Sequence, residues 1–419
     1  MIRILASKDV GRLLARKAAR LSEAEATVRP ILDAVRARGD RALMEYARQF
    51  DGLERKSVRV PEKELAAARV SDGFRAAVET AAANIRAYAA RQMPKEWSAQ
   101  IRPGITLGQI VRPLDTVAAY IPAGRYPLPS TVMMTVIPAQ VAGVPNVCVA
   151  SPRAVPEVFA TAHLLGVKNV FQMGGAQAIA AFAFGTKTVP RADRIVGPGN
   201  IYVAAAKKLL AGEVGIDFIA GPTEILIIAN DSDPRHLAAD MLAQAEHDLD
   251  ASAILLTPSK RLASAVAKEL ERQLAVLPTA RVAAKSIAKN SAIVLVRSLE
   301  EAVEISNRFA PEHLSIPDAS LLDRVRHAGS VFVGPFSPEA AGDYASGPNH
   351  VLPTSGAARQ RGGLSVMDYV KLISVQELSA AALGKLAPAI ATLARAEGLE
   401  AHARSVEVRV GRPAAGRRA

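Results

Sequence analysis

The sequence contains one cysteine, Cys148, in 419 residues. A single cysteine excludes an internal disulfide and any zinc site built from several cysteines. It lies in the apolar run NVCVAS, where a cysteine usually acts as a small buried hydrophobic residue.

Aromatic residues are also scarce, at 4 % of the chain. Lys and Arg outnumber Asp and Glu by 52 to 40, which gives a net charge of +12 and could suggest a nucleic-acid partner. However, no basic stripe with interleaved stacking residues is present, and the densest basic cluster is the tail VGRPAAGRRA, which is typical of a frayed terminus. We therefore predict no nucleic-acid partner and expect local positive charge to serve a substrate or cofactor phosphate.

Long hydrophobic runs are absent, because Gly, Pro or a charge interrupts each run before the roughly 18 residues that a membrane span needs. The N-terminal stretch MIRILASKDV becomes charged too early for a signal peptide. These absences predict no membrane association and a cytoplasmic location.

The order of apolar patterns predicts an α/β protein of two or more domains. Residues 22–98 have helical spacing, and from Val111 onward short β-rich runs alternate with helices, which predicts parallel sheets covered on both faces. One set of runs contains VAAYIP, NVCVAS, NVFQMGG and RIVGPGN, and a second contains EILIIAND, AILLTPS, AIVLV and SVFVGP. The two sets meet near GIDFIAGPTE. Near the end, LSVMDYVKLISVQEL reads as helix, and EGLEAHARSVEVRV reads as a helical turn followed by a strand.

The stretch QAEHD brings Gln244 and His247 close to the end of a predicted helix that starts at Asp231 to Asp233 with Pro234 in its first turn. Positions i and i+3 lie on one side of a helix, so both side chains can reach one ion. A helix-terminal histidine that offsets the helix dipole is the simpler explanation of the same pattern. The stretch alone leaves both interpretations open.

Two further polar groups are candidates for chemistry. Glu312 and His313 stand between a proline turn and a predicted strand in RFAPEHLSI, where a carboxylate beside an imidazole could move protons near neutral pH. Asp343 and His350 lie in GDYASGPNHVLPT, which reads as an irregular loop able to offer an oxygen ligand and a hydrogen-bond donor. A solvated turn and a solvated loop are the alternatives.

Three glycine turns follow β-like runs: MGGAQ, GPGN and AGPTE. Their backbone N–H groups could face a phosphate or a ribose. None has the G-x-G-x-x-G spacing of the dinucleotide fingerprint, so each is also compatible with a plain turn.

Taken in order, YIPAGRYPLPST, GGAQAIAAFAFGT, VGPGNIYVAAAK, GIDFIAGPTE, LAQAEHD, APEHL, GDYASGPNHVLPT, LSVMDYVK and EGLEAHA closely resemble histidinol dehydrogenase, over roughly Arg29 to Val410. The resemblance implies a homodimer with shared active sites and one Zn²⁺ per subunit. It implies oxidation of L-histidinol through L-histidinaldehyde to L-histidine, the final steps of histidine biosynthesis, with NAD⁺ as the oxidant. A family relative that oxidises another alcohol, such as a sulfonated diol, on the same scaffold is the alternative.

The resemblance also implies roles for individual residues. The implied zinc ligands are Gln244, His247, Asp343 and His402. Glu312 and His313 match the catalytic acid–base pair, and Tyr120, Gln177 and Asn200 match the NAD contacts. The implied substrate contacts are Thr223, Gln244, His247, His313, Asp343, His350, Glu397 and His402, of which Glu397 and His402 would act across the dimer.

The implied fold class is α/β, with two incomplete Rossmann-like α/β domains of parallel-rich sheets plus small N-terminal and C-terminal helical segments. The expected division has an N-terminal arm at residues 1–20 and a first domain at 21–115 and 224–365. The second, NAD-binding domain covers 116–223, and 366–419 form a C-terminal segment that contributes to the partner subunit's site.

Overall fold

The computed structural model describes residues 2–14, 21–123, 126–153 and 155–411; the end of the predicted arm and most of the arginine-rich tail lie outside these ranges. The strands, in chain order, are β1 (Arg3–Ala6), β2 (Trp97–Arg102), β3 (Ile105–Pro113), β4 (Thr116–Tyr120), β5 (Asn146–Ser151), β6 (Asn169–Gln172), β7 (Arg194–Val196), β8 (Gly215–Ile216), β9 (Glu224–Ile228), β10 (Ser252–Thr257), β11 (Ala292–Leu295), β12 (His313–Ile316), β13 (Ser330–Val333) and β14 (Val370–Leu378). The α-helices are α1 (Gly11–Leu14), α2 (Leu21–Arg38), α3 (Asp40–Asp51), α4 (Glu62–Ala67), α5 (Asp72–Arg91), α6 (Pro129–Val141), α7 (Pro156–Leu164), α8 (Gly175–Phe184), α9 (Ile201–Leu210), α10 (Pro234–Ala245), α11 (Lys260–Leu274), α12 (Ala280–Asn290), α13 (Leu299–Phe309), α14 (Glu339–Tyr344), α15 (Ala380–Ala396) and α16 (Glu400–Glu407).

The chain forms two compact units, Met1–Met93 with Leu114–Tyr369, and Pro94–Pro113 with Val370–Ala419. The first unit contains two parallel sheets, with strand orders β6-β5-β4-β7-β8 and β1-β11-β10-β9-β12-β13. Within each sheet five consecutive strands follow the order 3-2-1-4-5, which is the Rossmann order without its sixth strand. The predicted fold class is therefore confirmed.

The strands of the five-stranded sheet are apolar runs that are buried on both faces, as is usual for parallel strands. Phe171 of β6 meets Phe182 of α8 edge to face, with ring centroids 5.8 Å apart. Val28 and Leu32 of α2 are buried in the same core, with residues of α3 and α9. The helices α2 and α3, which fall in the range 21–115 assigned to the first domain from sequence, thus pack with the sheet that follows residue 115.

The six-stranded sheet separates two apolar layers. One face of β9, β10 and β11 packs against α10, α11 and α12, and the opposite face packs against α13. The strand β1 from the N-terminal arm pairs in parallel with β11 and extends this sheet. The alternation of buried strands and amphipathic helices explains why the sequence predicted this region well.

The second unit differs from the sequence prediction in two places. LSVMDYVKLISVQEL, predicted to be helical, forms mainly β14, because its β-branched residues pair antiparallel with β3 over nine positions. The stretch SVEVRV, predicted to be a strand, forms the end of α16 and the turn that follows it. Ion pairs of Arg395 and Arg404 with Glu400 stabilise the helical form.

No helix in the described part of the chain is both long enough and apolar enough to cross a membrane.

Candidate active site

The site is built at the amino ends of two neighbouring strands, β9 and β12. Parallel pairing of β12 with β9 sets His313 opposite Ile225, so the residues that precede both strands come together. The ring nitrogen Nδ1 of His313 lies 3.2 Å from the backbone oxygen of Glu224. Because a carbonyl oxygen only accepts, Nδ1 donates this hydrogen bond, and Nε2 of a neutral ring is left as the proton acceptor.

Glu312 is buried beside His313 and its position is fixed by two donors. Its Oε2 accepts a hydrogen bond of 2.6 Å from the hydroxyl of Thr223 and one of 2.9 Å from the backbone N–H of Glu224. Burial raises the pKa of the Glu312 carboxyl, while His313 and these two donors act against that increase. Oε2 of Glu312, which accepts both of these hydrogen bonds, is thereby held 3.7 Å from Nδ1 of His313.

Asp343 does not lie in an irregular loop, as the glycine- and serine-rich sequence suggested, but on the short helix α14. The same helix carries Glu339 one turn earlier, so both carboxylates face His313. Oδ1 of Asp343 is 3.7 Å from Nε2 of His313, and Oε1 of Glu339 is 3.5 Å from Nδ1. The i, i+4 spacing of Glu339 and Asp343 could have indicated two carboxylates on one face of a helix. It was overlooked because the segment was predicted to be a loop.

Three carboxylates around one imidazole determine the electrostatics of the site. Burial alone would lower the pKa of His313, but Glu339, Glu312 and Asp343 together raise it to about 10. Burial raises the pKa of Glu339 well above its ordinary value. Burial alone would raise the pKa of Asp343, but the interactions of Asp343 with His313 are stronger and lower that pKa. Burial thus disfavours the charged forms of Glu339 and Glu312, and a bound cation would favour them.

The QAEH stretch lies where the sequence predicted it, at the end of α10, which begins with Asp233 as its cap and Pro234 in its first turn. The side chain of the buried Gln244 lies between Thr223 Oγ1, at 2.7 Å, and Glu339 Oε1, at 2.5 Å. His247 follows the helix end, is exposed, and has its Nε2 3.8 Å from Oδ2 of Asp343.

A candidate metal site includes His247, Glu339 and Asp343. Each offers one ligand atom, and these atoms lie within 4.8 Å of one another. One imidazole and two carboxylates form a donor set that suits zinc or a similar divalent ion.

His350 is half-buried next to this cluster. Its Nδ1 lies 2.8 Å from the backbone oxygen of Asp343, and its Nε2 lies 3.2 Å from the hydroxyl of Thr131. Burial lowers the pKa of His350. Both ring nitrogens thus have protein partners in this structure, and the neutral ring positions the backbone at Asp343.

These side chains open into a cavity of about 270 Å³, the first cavity. Residues from both sheets line it: Thr223, His247, Glu312, His313, Asp343 and His350 come from the six-stranded side, and Pro122, Pro198 and Gly199 come from loops after β4 and β7.

A second cavity, of about 760 Å³, lies at the carboxyl ends of β4 to β7. This is the edge where the strand order of the five-stranded sheet reverses, the usual ligand position in such sheets. Tyr120, Gln177 and Asn200, which the resemblance assigned to NAD, all line this cavity, and Pro122 lines both cavities. Burial raises the pKa of Tyr120 to about 12, so its hydroxyl stays neutral at physiological pH.

Two residues implied by the resemblance are not in the first unit. Glu397 follows α15 and His402 lies on α16, both in the second unit and both exposed there. The sequence also missed Asp51, which lines the second cavity although it is far from the other site residues in the chain.

The chain is similar to known proteins over nearly its whole length. The family model described as histidinol dehydrogenase matches residues 14–410. The histidinol dehydrogenase of Geobacter sulfurreducens is 49% identical over 401 residues, covering 93% of this chain and 94% of that protein. The enzyme of Halalkalibacterium halodurans is 48% identical, with 91% and 93% covered. A crystal structure of histidinol dehydrogenase from Elizabethkingia anophelis matches with a TM-score of 0.92 and 37% identity, covering 98% of each chain.

Proposed function

Because this chain belongs to the histidinol dehydrogenase family, we propose that it oxidises L-histidinol through L-histidinaldehyde to L-histidine with zinc and two NAD⁺. The observation that carries the proposal is at His313, which lines the first cavity: its Nε2 is buried and has no hydrogen-bond partner among the described residues. An imidazole nitrogen that is fixed in orientation and has no protein hydrogen-bond partner is suited to accept a proton from a substrate.

His313 acts as the general base in both oxidations. The hydrogen bond from Nδ1 to Glu224 fixes the ring and directs Nε2 toward the substrate. As hydride leaves the carbinol carbon, Nε2 takes the hydroxyl proton. In the second oxidation the same nitrogen takes a proton from the hydrated aldehyde.

Glu312 activates the water that enters between the two oxidations. Its Oε2 is held by Thr223 and by the backbone of Glu224, which leaves Oε1 to accept a proton from that water. Burial raises the pKa of Glu312 and so makes the carboxylate a stronger base than an exposed one. Thr223 and His350 line the same cavity as substrate contacts.

Zinc fits the cluster of His247 and Asp343, and a divalent cation there would favour the charged form of Glu339, which burial otherwise disfavours. The proposed ligands are Gln244, His247 and Asp343 of one subunit and the His402 of the other. When bound, zinc would orient the imidazole and amine of the substrate and offset the carboxylate charge that otherwise keeps His313 protonated.

NAD⁺ fits the second cavity, at the carboxyl ends of β4 to β7. The glycines that follow β7 let this turn pack closely at the edge of the cavity: a Cβ on Gly199 would lie 2.4 Å from a methyl of Val203, and Gly197 has φ of +106°. The cofactor supplies the hydride acceptor. Since Pro122 lines both cavities, a nicotinamide ring near Pro122 would face the substrate in the first cavity.

A homodimer is supported by the second unit. Every residue of β2 is exposed, including Trp97 and Ile101, and most of β14 is exposed as well. A three-stranded sheet with solvent-exposed apolar side chains is typical of an interface, and a second copy of the chain would bury these side chains. Glu397 and His402 of this unit would then reach the partner's site.

Replacement of Glu312 by Gln tests the division of roles. Gln keeps an acceptor for Thr223 but is a far weaker base, so the first oxidation should continue while the second fails. We expect the yield to fall from two NADH per L-histidinol to one, with aldehyde as product. Two NADH per substrate at a normal rate would remove Glu312 from the water-activating role.

The alternative function, oxidation of another alcohol such as a sulfonated diol, is tested by competing substrates. The zinc-loaded protein should reduce NAD⁺ with L-histidinol and should show at least a hundredfold lower kcat/KM with a sulfonated diol. The reverse preference would favour the alternative.

A further inference from the structure

The carboxylate of Asp51 occupies the amino end of α8, beside the second cavity. Its Oδ2 accepts hydrogen bonds from the backbone N–H of Gly174, at 2.9 Å, and from Nε2 of Gln177, at 3.0 Å. The next backbone N–H, that of Gly175, donates to the hydroxyl of Tyr120 at 3.1 Å. A helix amino end normally attracts phosphate, but here a fixed negative charge takes that place.

Asp51 is also close to the end of β5, the second strand of the 3-2-1-4-5 order. A Cβ built on Gly174 would lie 2.9 Å from Oδ1 of Asp51 and 2.5 Å from Cβ of Pro152, which directly follows β5. In sheets of this order, an acidic group near the end of the second strand accepts a hydrogen bond from the ribose 2′-hydroxyl of the dinucleotide. Oδ1 has no hydrogen-bond partner among the described residues, so it can accept one.

Two exposed aromatic residues line this cavity, and one of them, Phe50, is next to Asp51 in the chain. Phe50 and Tyr202 both line it and are 54% and 46% exposed. Exposed rings beside a cavity suit the stacking of a purine base. Pro122 is shared with the first cavity, so the end at Asp51 and Phe50 is the one suited to adenosine.

We propose that Asp51 is the residue that selects NAD⁺ over NADP⁺, by accepting the ribose 2′-hydroxyl and repelling a 2′-phosphate; this rests on the proposed use of NAD⁺. Arg153 also lines the cavity and could attract a phosphate. However, Arg153 is exposed, so its charge is more strongly screened than that of the half-buried, hydrogen-bonded Asp51.

Binding of NADH and NADPH in the absence of substrate tests the proposal, measured by the change in nicotinamide fluorescence. The wild-type protein should bind NADH at least tenfold more tightly than NADPH. Asp51→Asn should reduce this ratio by tenfold or more, mainly through tighter NADPH binding, because the amide keeps the shape but not the charge. Asp51→Glu should retain most of the ratio. Asp33→Asn removes the same charge from an exposed position of α2 that does not line the cavity, and should leave the ratio unchanged.

Three results would contradict the account at different points. A wild-type protein that binds NADH and NADPH equally would overturn the inference, even if Asp51→Asn failed to fold. An unchanged ratio in folded Asp51→Asn would also overturn it, while the proposed reaction would stand. A wild-type protein that binds neither nucleotide but reduces another acceptor with L-histidinol would overturn the proposed use of NAD⁺ itself.

Discussion

Glu339 is the site residue that the sequence did not predict, and its replacement by Gln is a sharp test of the metal cluster. The side chain is 3% exposed, shares a helix turn with Asp343, and contacts Gln244 and His313. Gln has nearly the same shape but no negative charge. The change therefore isolates the contribution of the carboxylate to the cation site.

The expected magnitude follows from the distances. Two ligand atoms on one tetrahedral zinc ion lie about 3.4 Å apart, given zinc–ligand bonds of about 2.1 Å. The pair His247 Nε2 and Asp343 Oδ2 is already at 3.8 Å, so it needs little movement, and Glu339 offers a third ligand atom within 4.8 Å of the other two. Because Glu339 already contacts Gln244 and His313, it is more suited to supporting the ligands than to binding zinc itself. Loss of such a supporting group typically weakens metal affinity about 10- to 100-fold.

Zinc affinity should be measured by competition with a chromophoric chelator, on wild type and on Glu339→Gln. Glu246→Gln is the matched control, because Glu246 lies in the same QAEH stretch but accepts its hydrogen bond from Thr279, at 2.5 Å. We expect the weaker affinity only in Glu339→Gln. Equal zinc affinity in all three proteins would refute the role of Glu339, and a loss far above 100-fold would make it a direct ligand.

Three further predictions concern the site, the dimer and the fold. His247→Ala should release zinc and abolish oxidation of L-histidinol; full activity of a metal-depleted variant would refute the ligand assignment. Mixing inactive His402→Ala with inactive His313→Ala protein should restore part of the activity, since one of the mixed sites carries both wild-type residues; no recovery after verified subunit exchange would argue against a shared site. Burial raises the pKa of Tyr369 well above 10.0, so the folded state disfavours the phenolate and the free energy of unfolding should fall as pH rises above that value. Tyr369→Phe should remove its share of this fall and lower the free energy of unfolding at pH 7 by about 1 kcal/mol, through the lost hydrogen bond to the Thr135 backbone. Urea unfolding at pH 7 and 10.5 checks this, and an identical alkaline loss in the variant would contradict it.

The parts of the site that lie in strongly patterned sequence were predictable. Asp233 and Pro234 mark the start of α10, so the position of Gln244 and His247 at its end followed from local rules. The apolar run after His313 marked β12 in the same way. These features depend on residues within one or two helix turns.

Other parts depend on contacts between distant segments, which local patterns do not contain. The strand β14 forms because β3, more than 250 residues earlier, offers a pairing edge. Asp51 reaches the second cavity because α3 packs on the five-stranded sheet, 123 residues before Gly174. Glu339 was missed because glycine and serine after Asp343 made a short helix look like a loop.

The most direct test of the account is the stoichiometry of complete oxidation. Zinc-loaded protein should be given limiting L-histidinol and excess NAD⁺, with NADH followed by absorbance and the products identified by mass spectrometry. The account predicts two NADH and one L-histidine for each L-histidinol consumed, and no turnover after zinc removal until zinc is restored. Absence of NADH, or full turnover without metal, would contradict it.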